Sequence, residues 1–146
     1  MPSSRNARDA LIHQLANTAA FRTALRRFRN KLEAKTSEVG LTPQRYDLLL
    51  MIKATTSAGE SATVGGLCQS LDLQQPAVTE LVKRAEQAGL VERTRSPSDG
   101  RVFLLQLTVD GDDRVMKAFR ALSDDRAALV EAFQLLDASF RASTSR

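Results

Sequence analysis

The stretch TVGGLCQSLDLQQPAVTELVKRAEQAGLVERTRSPSDGRVFLLQL, residues 63–107, decides how this chain folds. Thr63 is a residue type whose side-chain oxygen satisfies the first amides of a helix, and Val64, Leu67 and Leu71 then recur three or four apart, so VGGLCQSL reads as a short amphipathic helix. Asp72 tolerates left-handed backbone and makes SLDLQQ a tight turn. A second helix follows. Pro76 lies in its first turn, where a missing N–H costs nothing; Val78, Leu81, Val82 and Ala85 form one stripe; Gly89 supplies a left-handed stop. Two helices joined by a short turn are a helix-turn-helix. LVERTR and VFLLQL are rich in strand formers, and SPSDGR between them makes a hairpin loop. A hairpin packed beside a helix-turn-helix is a wing, held by its short connection close to whatever the second helix contacts.

Upstream, LTPQRYDLLLMIKA (41–54) opens on Thr42 as N-cap and Pro43 at the first helical position, with Tyr46, Leu49 and Leu50 as the expected buried stripe. TTSAGES (55–61) reads as the loop that ends this helix. Before it, Ala34 to Gly40 is the expected break after a long amphipathic helix. That helix runs from about Ala7 to Leu32 on Leu11, Leu15, Phe21, Leu25, Phe28 and Leu32. Arg22, Arg26 and Arg29 share its opposite face, either as a solvated stripe or as an anion-facing surface.

Downstream, Thr108 caps a helix whose first turn holds Asp110, Asp112 and Asp113, where carboxylates favour the positive end of the helix dipole. Val115, Phe119, Leu122, Arg126, Leu129, Phe133, Leu136 and Phe140 then alternate spacings of four and three, a heptad seam with one polar member. Such a seam packs against another helix, across a two-fold axis or within its own chain. Ser123, Asp124 and Asp125 offer an alternative, a break into two helices.

The composition agrees with a mostly α chain. In 146 residues, 42% are apolar and 26% charged, with only seven Gly and four Pro. This suits one domain, or one domain with helical extensions, and excludes wholesale disorder and a two-domain enzyme. The net charge of +4 hides a gradient, because eight basic residues against two acids give residues 1–35 a charge of +6. Residues 63–101 are balanced, with five of each sign. An isoelectric point near 9.7 points to an anionic partner, nucleic acid ahead of membrane. One Cys excludes an internal disulfide and suits a reducing compartment, so cytoplasm is expected. No 18-residue apolar run and no apolar signal core is present, so neither a membrane span nor a secretory leader is expected. The sequence lacks HExxH, GxSxG, GxGxxG and GxxxxGK[ST], and His13 with Cys68 is too few ligands for a metal; no enzyme, cofactor or metal is expected.

On the second helix, the face opposite the apolar stripe offers Gln75, Thr79, Glu80 and Lys83, with Gln74 and Ala77 at its start. Gln pairs bidentately with adenine, Thr and Ala methyls touch the thymine methyl, and Glu accepts from cytosine. Glu80 either meets a cytosine amine or pairs with Arg84 at i+4, since a bare carboxylate near phosphates is repulsive. Lys83, Arg84 and Arg95 suit phosphate contacts that position the helix without reading sequence.

The chain resembles the MarR-type winged-helix transcriptional regulators. LTPQRYDLLL is similar to the family's helix opening after its first dimerisation helix. LCQSLDLQQPAVTELVKRAEQAGLVER resembles its helix-turn-helix, SPSDGRVFLLQLT its wing with Asp99 and Arg101 as the family's Asp-x-Arg, and LTVDG (107–111) the Leu-Thr-x-x-Gly that opens the last long helix. The resemblance implies a winged helix-turn-helix over residues 41–108, with its wing at about 90–108, flanked by dimerisation helices at 1–35 and 109–146. It implies a homodimer binding pseudo-palindromic double-stranded DNA, with recognition helices about 34 Å apart in successive major grooves. Leu11, Leu15, Val115, Phe119, Leu122, Leu129, Phe133, Leu136 and Phe140 are the residues such a dimer would bury.

By the same resemblance, Arg101 approaches the minor groove while Asp99 orients it; a hairpin-stabilising surface ion pair is the other reading. The family implies a repressor released by a small aromatic or phenolic effector bound where the dimerisation helices meet the winged domain. Tyr46 and His13 are candidates for that pocket by side-chain chemistry alone. The tryptophan of the urate-responsive branch is missing. Cys68 lies on the short helix rather than near the start of the chain as in peroxide sensors, and reads as a buried structural thiol. The competing function is a helical dimeric protein-interaction module with a vestigial DNA-binding domain.

Overall fold

A computed structural model describes residues 4–144. In chain order the elements are α1 (Ser4–Glu38), α2 (Pro43–Ser57), α3 (Val64–Leu71), α4 (Gln75–Gln87), β1 (Val91–Arg95), β2 (Phe103–Leu107), α5 (Val109–Ala121) and α6 (Ser123–Thr144). They fall into two compact units. One holds residues 35–120; the other holds the part of α1 before Lys35 together with the chain from Ala121 onward.

In the first unit, local signals set the helix ends. Helix α1 outruns the expected break at Ala34 and stops at Glu38, because Thr36 is buried and its carbonyl accepts from Val39 N–H at 3.1 Å and Leu41 N–H at 2.9 Å. Gly40, at φ 71°, makes the turn. The Thr42 hydroxyl accepts from Arg45 N–H at 3.1 Å, and Thr63 accepts from Gly66 N–H at 3.2 Å, so both expected caps form. Asp72 takes the left-handed conformation at φ 52°, as does Gly89 at φ 74°. In α2 the buried residues are Tyr46, Leu48, Leu49 and Ile52; Leu50, expected inside, is only half-buried because the inner stripe follows the 46, 49, 52 row.

Helix α4 buries Val78, Val82 and Ala85. Strands β1 and β2 pair antiparallel, with Val91 opposite Leu107 and Arg95 opposite Phe103. On the other edge of β2, Leu105 N–H donates to Ala62 carbonyl at 2.9 Å, which ties the wing's root to the lead-in of α3. Buried Leu90, Val91 and Leu105 join α2 and α4 in a common core.

Thr108 carries three bonds at the entry to α5. Its hydroxyl donates to Gly89 carbonyl at 2.6 Å and accepts from Gly111 N–H at 3.0 Å, and its own N–H donates to Leu90 carbonyl at 3.1 Å. A side chain at Gly111 would fall on the Leu90 carbonyl. The Leu-Thr-x-x-Gly sequence is thus a clasp between the end of α4 and the start of α5. Across the same unit Lys53 pairs with Asp112 at 2.6 Å.

In the second unit, α1 and α6 lie antiparallel. Gln14 Nε2 donates to Ser143 Oγ at 2.8 Å, and the rings of Phe21 and Phe133 meet at 6.0 Å. The sequence allowed a continuous seam or a break at Ser123–Asp125, and the chain breaks. Helix α5 ends at Ala121, and Arg126 N–H bonded to Leu122 carbonyl begins the next helix. Asp124 and Asp125 then sit in the first turn of α6, favourably for its dipole. The break corrects part of the expected dimer surface: Val115 and Leu122 are already fully covered by their own chain and have no area left for a partner. Phe119, Leu129 and Leu136 are half-buried, whereas Leu11, Leu15, Phe133 and Phe140 are exposed. Among the described residues no helix is long and apolar enough to cross a membrane.

Candidate nucleic-acid interface

Helix α4 is amphipathic, and burial of Val78, Val82 and Ala85 turns its other face to solvent. Gln74, Gln75, Ala77, Thr79, Glu80, Lys83 and Arg84 are all exposed there, as are Arg95, Asp99 and Arg101 on the wing. Gln75 and Thr79 line a groove of about 400 Å³ with Arg93, Arg101, Val102 and Phe103 of the wing and Thr63, Val64 and Gly65 at the start of α3. Gln75 and Thr79 of α4 and Arg101 of the wing therefore share one concavity.

Glu80 does not stand free. Its carboxylate accepts from Arg84 Nε at 2.9 Å, the i+4 pairing that was one of its two expected fates. Both side chains stay more than half exposed, so the pair itself contributes about 0 to 1 kcal/mol. Its effect is to balance one carboxylate against one guanidinium on the helix surface. Lys83, Arg95 and Arg101 have no ion-pair partner among the described residues, and they are the cations this face leaves unneutralised.

Asp99 acts on the backbone of Arg101. Its Oδ1 accepts from Arg101 N–H at 3.0 Å, and Val102 N–H donates to Asp99 carbonyl at 3.0 Å, so the carboxylate folds the wing tip and leaves the guanidinium unpaired. The surface ion-pair reading of Asp99 and Arg101 is not what the wing contains. Arg95 Nη1 donates to Gly100 carbonyl at 3.0 Å, which anchors it while leaving its remaining N–H groups exposed.

Three participants are new. Arg93 pairs with Glu86 of α4 at 3.0 Å, and the guanidinium carbons of Arg93 and Arg95 each lie 5.3 Å from the centre of the Phe103 ring. The period of two in a strand puts residues 93 and 95 on one face, a signal the sequence carried. The pairing of that face with Phe103 depended on the register.

The remaining candidates disperse. Tyr46 is buried in the core of the winged unit, while His13 is exposed on α1 in the helical one. Cys68 is half-buried rather than buried, because α3 packs chiefly through Leu67. Among the described residues no group of three or more His, Cys, Asp or Glu could hold a metal. Burial pushes the Asp47 carboxyl above the usual carboxylate range.

A family model described as the MarR family matches residues 39–102, which span α2 through β1 and the wing-tip loop and end just before β2. The HTH-type transcriptional regulator YhbI of Bacillus subtilis, itself uncharacterized, is 32% identical over 75% of this chain and 70% of its own length. The chain belongs to the MarR family. A second relative, the uncharacterized HTH-type transcriptional regulator YdcH of the same organism, is 30% identical over 65% of each chain, and other curated relatives are matched over about half their length. Among solved structures, the transcriptional repressor CouR bound to a 23-mer DNA duplex is 26% identical, with 87% of this chain and 90% of that one covered at a TM-score of 0.65.

Proposed function

We propose that this MarR-family chain is a sequence-specific, double-stranded-DNA-binding transcriptional regulator that works as a homodimer on a pseudo-palindromic operator. The observation that carries the reading is the shared groove: exposed Gln75 and Thr79 on α4 face the same concavity as Arg101 of the wing. An exposed amide and hydroxyl beside a free guanidinium suit base edges in a major groove flanked by phosphates and a minor groove. Gln74, Ala77 and Lys83 extend that surface; Arg84 contributes once released from Glu80, and Arg95 and Asp99 hold the wing tip.

The homodimer rests on apolar area. Leu11, Leu15, Phe133 and Leu135 are 55%, 61%, 55% and 60% exposed, with Ile12, Val130 and Phe140 about as open. A pair of helices presenting so much hydrocarbon to water gains by covering it with a second copy, since each buried Å² contributes roughly 25 cal/mol. Repression relieved by a small aromatic or phenolic effector, in the cytoplasm, completes the reading by family analogy.

Selection from a random duplex pool tests it. The full chain should enrich an inverted repeat whose half-sites lie about 10 base pairs apart, one helical turn. Enrichment of no common sequence, or of a single half-site, would overturn the homodimeric operator.

A further inference from the structure

The wing carries a device that the reading above leaves unused. Phe103 is 37% exposed at the first position of β2, directly across from Arg95, and a large ring so placed needs a reason. The ring is in contact with charge: Arg93 and Arg95 each put their guanidinium carbon 5.3 Å from the ring centre. Each arginine also has a second partner. Arg93 is bonded to Glu86 near the end of α4, and Arg95 to Gly100 carbonyl in the wing tip. The ring thus joins two tethers, one running to the recognition helix and one to the loop that carries Arg101.

We propose that Phe103 is a positioning residue for the DNA interface: it fixes the direction of Arg93 and Arg95 and, through them, the angle between the wing tip and α4. An arginine side chain free in water loses much rotamer freedom on meeting a phosphate. A guanidinium stacked on a ring keeps its N–H edge outward and has already lost that freedom. The charge for the contact comes from the arginines; Phe103 supplies the orientation. This inference rests on the DNA-binding reading and adds a residue that the reading does not need.

The test uses the full chain and the duplex that the wild type selects, with binding titrated against salt. Phe103→Leu keeps the apolar volume without the ring's charge distribution and should bind about tenfold more weakly, whereas Phe103→Tyr keeps the ring and should stay within about threefold of wild type. The decisive comparison is with Arg93→Gln/Arg95→Gln, two exposed changes that leave the fold intact. If the ring works through the arginines, adding Phe103→Leu to that pair should change affinity by less than about twofold. A full tenfold loss on that background, or equal losses for the Leu and Tyr variants, would make the ring a packing residue and overturn the inference. Wild-type affinity in Phe103→Leu would do so too. A wild type that selects no duplex at all would instead sink the DNA-binding reading and this inference with it.

Discussion

Glu80 and Arg84 face each other across one turn of α4, with the Arg84 Nε donating to the Glu80 carboxylate at 2.9 Å. The pair sits on the helix face that also presents Gln75, Thr79 and Lys83. Both side chains stay more than half exposed, so the pair balances two charges on this face without burying either.

Glu80→Gln should therefore tighten operator binding by roughly tenfold, because it removes a repelling charge and frees Arg84 for the backbone. Base preference along the site should not change. A titration series over single-base operator variants checks this. Weaker binding with lost preference at one C·G pair would instead make Glu80 a reader.

The clasp at Gly111 makes a stability prediction. A methyl there would meet the Leu90 carbonyl, backbone that cannot swing aside, so Gly111→Ala should cost about 2 to 4 kcal/mol in urea unfolding. Thr108→Ala, which loses an N-cap and the bond to Gly89, should cost about 1 kcal/mol or somewhat more. An unshifted midpoint for Gly111→Ala would contradict the packing described.

Asp47 supplies a pH dependence. Burial raises its carboxyl above the ordinary value of 3.8, so the folded chain holds its proton more tightly than the unfolded chain. Stability from this group is present below that ordinary value and falls as pH rises through the raised one, the reverse of a salt-bridged carboxylate. Asp47→Asn should then stabilise the protein at pH 7 and leave it unchanged near pH 3, as read by thermal unfolding at both. A variant less stable than wild type at pH 7 would show that the carboxylate has a favourable partner.

Leu11 and Leu15 are more than half exposed, so replacing both by Glu removes little from the chain's own packing. In sedimentation the double variant should keep its helix content yet dissociate at least about 100-fold more readily than wild type. Undiminished dimerisation would place the self-association elsewhere.

The parts of this fold that were legible in the sequence are those decided locally. Thr42, Thr63 and Thr108 cap because an N-cap needs only its own next three residues, and Asp72 and Gly89 turn because few residue types accept positive φ. What escaped depended on partners distant in the chain. A three-and-four stripe looks the same whether it meets its own core or a second copy, so Val115 and Leu122 joined the expected dimer surface though both are core. Helix α1 ran past its expected end because burial of Thr36 outweighs the weak helix preference of its neighbours. The exposed candidates on α4 were placed on one face by helix geometry alone. Arg93, Phe103 and Glu86 were not, because strand register brings them together.

If α4 and the wing hold DNA through their unpaired cations, operator affinity must fall steeply with salt. Each phosphate neutralised contributes about −0.9 to the slope of log affinity against log salt. A homodimer carries two copies of Arg101, so Arg101→Ala should weaken binding and flatten the slope by about 2, with Lys83→Gln behaving alike. An affinity indifferent to salt, or a slope unchanged in both variants, would contradict the site.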